Sequence, residues 1–204
     1  MTQLGKTFSF TKENELIAQD IIKRYPEGRE KSALIPILDL AQRQVGGWLP
    51  REVLDYVARY LSLPVIHVYE VASFYSMFNL KPVGKHFVQV CTTTPCWLRG
   101  SDGVLSACKK VLGEKAFSGV SEDGLFTVTE VECLGACSNA PMVQINDDYY
   151  EDLDHESMTQ LLQNLKSGKD VKVGSQIGRL GSSPHEDLPL LESGPKKKPS
   201  NPIK

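Results

Sequence analysis

The chain has 204 residues, 41% hydrophobic and 8% aromatic, enough to bury one sizeable core or two small ones. Lys and Arg number 23 against 25 Asp and Glu, a formal net charge of -2 that excludes nucleic-acid or membrane binding driven by overall charge. No apolar run reaches the roughly 18–20 residues of a membrane-spanning helix, and MTQLGKTFSF lacks the apolar stretch of a secretory signal.

Helices dominate the first 80 residues, in segments punctuated by proline and glycine. Thr11 reads as an N-cap, with Leu16, Ile17, Ile21 and Tyr25 at helical spacing until Pro26 and Gly28. Ala33, Leu34, Ile37, Leu38, Ala41 and Val45 mark a second helix, stopped by Gly46 and Gly47. Pro50 suits the first turn of a third, with Val53, Val57 and Leu61 on one face. Beyond Pro64, Val71, Phe74, Tyr75 and Phe78 supply the stripe of a fourth, and stripes of that kind read as core. Trp48 is placed to clamp the bundle.

From Lys85 the pattern changes to short β-branched and aromatic runs at His86–Val90, Leu125–Val131 and Met142–Ile145, with one more strand around Tyr149 and Tyr150. Val104, Leu105, Cys108, Val111 and Leu112 predict an amphipathic helix after the first strand, and a last helix runs from about Asp154 to Leu165. Strand, helix, strands, helix is the order of a thioredoxin-like sheet layered with helices. The fold class is therefore α+β (α/β), with an N-terminal helical bundle over 1–82, a thioredoxin-like domain over 83–170 and an extended or disordered tail over 171–204. Residues 174–204 hold four Gly, five Pro and five Ser, too much punctuation for a packed core. The tail is expected to be disordered alone or laid over a partner, and its Lys196, Lys197 and Lys198 run reads as a solvated patch.

Five cysteines without an export signal point to a reducing compartment, where thiols are kept for metal or redox work. Cys91 and Cys96 are separated by Thr-Thr-Thr-Pro, and Cys133 and Cys137 by Leu-Gly-Ala. Each pair follows a predicted strand, so neighbouring strand ends of one sheet can bring four thiolates together. Four soft anionic ligands suit an iron–sulfur cluster or zinc, and both gaps are longer than the common C-x2-C zinc knuckle. That spacing favours an iron–sulfur cluster over zinc on Cys91, Cys96, Cys133 and Cys137, read as both cofactor-binding and metal-ligating residues. A 2Fe-2S cluster on four thiolates carries a formal charge of about -2, near -3 once reduced, and needs hydrogen-bond donors. Gly135 permits close backbone approach, Thr92, Thr93 and Thr94 offer hydroxyls, and Cys96 is expected to precede a helix N-terminus. Cys108 lies on the apolar stripe just described and reads as a small buried hydrophobe. Trp97 either shields the cluster or joins the core.

CTTTPCWLRGSDGVL from Cys91 and DGLFTVTEVECLGACSNAP from Asp123 resemble the thioredoxin-like 2Fe-2S subunit of respiratory NADH:quinone oxidoreductase (complex I). The N-terminal YPEGREKSALIPILDLAQRQVGGWLP and VYEVASFYSMF resemble the same family, so the likeness spans roughly Phe8 to Leu165. It implies a cluster on the four named cysteines and one-electron exchange with FMN. FMN and NADH would be bound by the partner flavoprotein subunit only. It further implies the large iron–sulfur subunit of the same complex as a second partner, with no membrane insertion of this chain. The translocase activity then belongs to the complex, on the cytoplasmic side of a bacterial inner membrane or the mitochondrial matrix side. The initiator Met and the lack of an evident transit peptide favour the former. The equivalent subunit of an NAD-reducing hydrogenase or an NAD-dependent formate dehydrogenase remains the alternative parent.

No catalytic residue is expected, because no glycine-rich dinucleotide fingerprint follows a strand and no nucleotide-binding lysine loop is present. CTTTPC is two residues too long for a C-x-x-C dithiol enzyme. LSLPVIHVYEVASFY has the outline of a helix-turn-helix, but Glu70, the aromatic face and the lack of a basic stripe argue against a DNA-binding module. The histidines at 67, 86, 155 and 185 are scattered and show no ligand spacing.

Overall fold

A computed structural model describes residues 8–183. The described residues form two compact units, 8–89 with 108–130 and 90–107 with 131–183.

The first unit opens with four helices: α1 (Lys12–Lys23), α2 (Leu34–Gln44) behind a 3-10 turn at Glu30–Ala33, α3 (Arg51–Tyr60) and α4 (Val65–Phe74). Thr11 caps α1, its hydroxyl accepting from the Asn14 N–H, as its side-chain type predicts. Pro50 sits one position earlier than expected, at the N-cap of α3, where its lack of an N–H costs nothing. Ala18, Ile37, Leu38, Ala41, Leu49, Val53, Val57, Val68 and Ala72 form the core. Against it stand Phe8, Phe10, Tyr56 and Tyr60, in which Phe8 meets Tyr56 edge-on at 5.0 Å and Phe10 meets each tyrosine at 5.4 Å. The buried Gln42 amide ties down the stretch after α4, donating to the Met77 carbonyl at 3.0 Å and accepting from the Asn79 N–H at 2.8 Å.

Two helical faces differ from their expected stripes. In α1 the inward residues are Ala18, Ile21 and Ile22, while Leu16 and Ile17 face solvent. In α4 only Val68 and Ala72 are buried. The helix ends at Phe74 and Tyr75 is extended, so helical spacing stops applying there. Phe74 is 80% exposed, with Tyr75 and Met77 exposed beside it, whereas Phe78 turns back into the core. Trp48 is half-buried, and its neighbour Leu49 fills the bundle.

Strands β1 (His86–Cys91), β2 (Phe126–Val131), β3 (Val143–Ile145), β4 (Asp148–Glu151) and β5 (Gly174–Ser175) hydrogen-bond in the order β2-β1-β3-β4-β5. The His86 N–H donates to the Leu125 carbonyl at 2.7 Å and the Thr92 N–H to the Val131 carbonyl at 3.3 Å. Both residue numbers rise together, so β1 and β2 run parallel and finish at the same end. Parallel neighbours need a crossover. It is built from α5 (Thr94–Leu98), α6 (Ser101–Leu112) and α7 (Lys115–Ser118). Strands β3 and β4 form an antiparallel hairpin with Val143 opposite Tyr150, and β4 pairs in parallel with β5.

The second unit also holds α8 (His155–Lys166), started by a capping box in which Asp154 accepts from the Ser157 N–H and Ser157 accepts from the Asp154 N–H. Beyond α8 the described part of the tail holds the two-residue β5 between irregular stretches, with turns at 176–177 and 181–182, and bonds back to its own chain. Arg179 pairs with the nearly buried Asp152 at 3.2 Å, and Ser175 donates to the same carboxylate. Removing one member of a buried ion pair costs roughly 3–5 kcal/mol, because the other is left uncompensated. Residues 184–204, with His185 and the Lys196, Lys197 and Lys198 run, lie outside the described residues. No helix among the described residues is long and apolar enough to cross a membrane.

Gly84 is buried where a Cβ would come within 2.6 Å of the Phe126 backbone, which cannot move aside without breaking β2. A Gly84→Ala chain should lose about 3 kcal/mol of stability, read as a lower urea midpoint at unchanged slope.

Candidate metal centre

The parallel pairing decides where the cysteines go. Cys91 closes β1 and Cys133 follows β2 by two residues, so both loops leave the sheet at one end. Gly135, at φ +89, turns the second loop in the left-handed region that a side chain resists. Cys137 then opens a 3-10 turn, Cys137–Asn139. In the first loop Cys96 lies within the five-residue α5, just ahead of the longer helix α6 that starts at Ser101. That position turns its thiol inward and leaves Trp97 and Leu98 outside, 58% and 71% exposed. Trp97 is therefore not a core residue.

The thiols differ by pair. Cys91 and Cys96 are each 1% exposed, packed with Ala140 and Met142 and flanked by Leu134, Ala136 and Tyr149. Cys133 and Cys137 are exposed, with their sulfurs 3.3 Å apart. Burial acts to raise the Cys91 thiol, but hydrogen bonds from the Thr93 hydroxyl and from the Thr93 and Leu134 N–H groups, with one from Cys96, leave it lowered. The Thr93 hydroxyl lies 3.3 Å from that sulfur. Burial pushes Cys96 up to about 11, assisted by the neighbouring Cys91 and opposed by the Met142 N–H. The hydrogen bond with Cys133 raises Cys137, and burial and the charges of Cys133 and Cys91 add to it.

Buried Cys91 can thus be held as an anion by polar groups that point at it. The Tyr149 hydroxyl donates to the Leu134 carbonyl at 2.8 Å and so fixes the peptide segment that supplies one of those donors. Three or more His, Cys, Asp or Glu side chains do not converge as ligands of one ion among the described residues. The thiols lie as two close pairs, Cys91 with Cys96 and Cys133 with Cys137, and the pairs are near enough for Cys137 to feel the charge of Cys91 and Cys96 that of Cys137. A single zinc ion asks for all its ligands at one point, whereas a two-iron cluster takes two protein ligands on each iron. The paired donor set fits the second.

A sequence profile described as thioredoxin-like [2Fe-2S] ferredoxin matches residues 18–166. The chain belongs to that family. Its cofactor is one 2Fe-2S cluster. The chain is 58% identical over 160 residues to an NADH-quinone oxidoreductase subunit of Rickettsia bellii, covering 78% of this chain and 95% of that one. It is 49% identical over 186 residues to the mitochondrial NADH dehydrogenase [ubiquinone] flavoprotein 2 of Dictyostelium discoideum, covering 91% of this chain and 75% of that one. Among solved structures, an air-oxidized NAD+-reducing [NiFe]-hydrogenase superposes with TM-score 0.56 at 20% identity, over 64% of this chain and 23% of that chain. Identity so low speaks for the shared fold alone.

Several residues around the thiols are silent in sequence. The Leu134 and Met142 N–H groups act through the backbone, which any residue supplies, and Tyr149 reads only as a strand residue. Gly135 and Thr93 are the two with a sequence signal, a loop glycine beside a ligand candidate and a hydroxyl two residues from one.

Cys108 stands apart, fully buried on α6, where burial pushes its thiol up to about 12. Below its ordinary value of 9.0 the thiol is neutral folded or unfolded. Above it the unfolded chain ionises and the folded one does not, so this group's stability contribution falls from there until about pH 12. Urea titrations should find Cys108→Ala less stable than the wild type at neutral pH, from the lost burial of the sulfur, with the gap narrowing above pH 9.0 as this group's contribution to the wild type falls. Iron content should be the same in both.

Proposed function

We propose that the chain is the electron-transfer subunit of an NADH:quinone oxidoreductase, holding its 2Fe-2S cluster on Cys91, Cys96, Cys133 and Cys137. The single observation that carries the ligand assignment is the pairing of two buried and two exposed thiols from loops at one end of a parallel strand pair. The parent complex is supported by a relative of that name at 58% identity, covered almost end to end. Likeness to the hydrogenase is confined to fold, which favours the quinone-linked complex over the alternative parent.

When bound, the cluster supplies a single-electron couple. The chain's own part is to hold it and to offset the charge that an added electron brings. Thr93 does so through hydroxyl and N–H, and the Leu134 and Met142 N–H groups do so without a side chain. Tyr149 keeps the Leu134 peptide aimed, so the donors need no reorganisation when the charge changes. The Cys91 and Cys96 side is walled by Ala140 and Met142, leaving the Cys133 and Cys137 edge as the route for exchange with a partner.

That partner is the FMN- and NADH-binding flavoprotein subunit, with the large iron–sulfur subunit of the same complex nearby. The chain sits peripherally on the cytoplasmic face of a bacterial inner membrane, the matrix face being the organellar equivalent. Residues 1–82 form the helical bundle, 83–170 the cluster domain and 171–204 the tail, a division supported by the change from helices to strands at His86.

Anaerobically purified, dithionite-reduced chain should give the EPR signal of a single 2Fe-2S cluster, with iron and acid-labile sulfide each near two per chain. Alanine at Cys91, Cys96, Cys133 or Cys137 should abolish or distort that signal. Stoichiometric zinc with no labile sulfide and a silent spectrum would overturn the reading.

A further inference from the structure

Arg179 lies beyond the residues that the family profile matches, yet it reaches the loop that carries Cys137. Its guanidinium donates to the Ser138 carbonyl at 3.3 Å and to the Asn139 side-chain oxygen at 3.0 Å, directly after that cysteine. The same fork meets the Asp152 carboxylate at 3.2 Å and the Ser183 carbonyl at 2.9 Å. Asn139 is 2% exposed, and its amide nitrogen donates to the Gly181 carbonyl at 2.7 Å and to Glu151. Ser175 completes the hold, its hydroxyl donating to Asp152 and accepting from the Arg179 N–H. Strand β5 ties the segment to β4 from below, with the Gln176 N–H donating to the Glu151 carbonyl.

We propose that residues 174–183 form a strap and that Arg179 is a positioning residue, clamping the 138–139 turn so that the exposed Cys133 and Cys137 keep their places as ligands. The inference rests on the ligand assignment under Proposed function. Three features support it. Cys133 and Cys137 lie in the open loop, without the apolar wall that fixes Cys91 and Cys96. A planar guanidinium with five N–H donors in a fixed fork serves the four acceptors at Asp152, Ser138, Asn139 and Ser183 at once, one more than the three donors of a lysine can reach. Asp152 is 5% exposed and Arg179 16%, so the clamp is shielded from the solvent that would exchange its bonds.

The test uses the full-length chain with its cluster, comparing wild type, Arg179→Gln, Arg179→Lys and the surface control Arg24→Gln. Outer partners of ligands are worth roughly 10- to 100-fold in metal retention. Arg179→Gln should therefore release iron to a ferrous chelator about that much faster, with altered g-values or line width in the reduced EPR spectrum and unchanged helical circular dichroism. Arg179→Lys should fall between wild type and Arg179→Gln, and Arg24→Gln should match the wild type. If Arg179→Gln does not accumulate folded, the double variant Asp152→Asn with Arg179→Gln, which leaves no lone buried charge, is read against the same two measurements. Wild-type release and line shape in the glutamine-bearing variants, or full restoration by lysine, overturns the positioning role while leaving the ligand assignment standing. A wild-type chain with no cluster signal overturns both.

Discussion

The parallel pairing of β1 with β2 is the constraint on which the rest of the site depends. Two cysteine loops remote in sequence share one end of the sheet because these strands finish side by side. A slip of one residue would carry Cys133 along the strand by about 3.3 Å and turn the strand's inward side chains outward. The register is held from both directions. Val88 and Val90 on one strand and Phe126 and Val128 on the other are buried, so a slip exposes them. At the far end Gly84 lies so close to the Phe126 backbone that no larger residue fits, and its N–H donates to the Thr127 hydroxyl at 2.9 Å.

On that frame the site is built asymmetrically. One pair of thiols is packed into an apolar pocket and supplied with backbone donors, while the other stands at the surface on a glycine-bent loop. Burial alone disfavours a thiolate, and the donors to Cys91 offset it. The exposed pair has water for that purpose and lacks a wall instead. Its order comes from hydrogen bonds on either side, with Tyr149 holding the Leu134 carbonyl and the 174–183 segment holding Asn139.

Much of this was legible in the residues. Alternating β-branched and aromatic runs located β1, β2, β3 and β4 closely, since such side chains pack on pleated surfaces. Helical register identified Cys108 as a buried hydrophobe, and the structure places it there. Spacing misled where an element was too short to keep its period. The stripe through Phe74, Tyr75 and Phe78 assumes a helix that ends at Phe74, and Trp97 falls outside because α5 lasts barely more than one turn. The donors at Leu134 and Met142 were illegible for a different reason, as a peptide N–H carries no residue signature. Arg179 was hidden by distance, 42 residues from Cys137 in a segment rich in glycine and serine.

The split between the two thiol pairs has a consequence for reactivity toward solvent. Cys91 and Cys96 sit behind Ala140 and Met142, so a thiol reagent or an oxidant arriving from water reaches Cys133 and Cys137 before the buried pair.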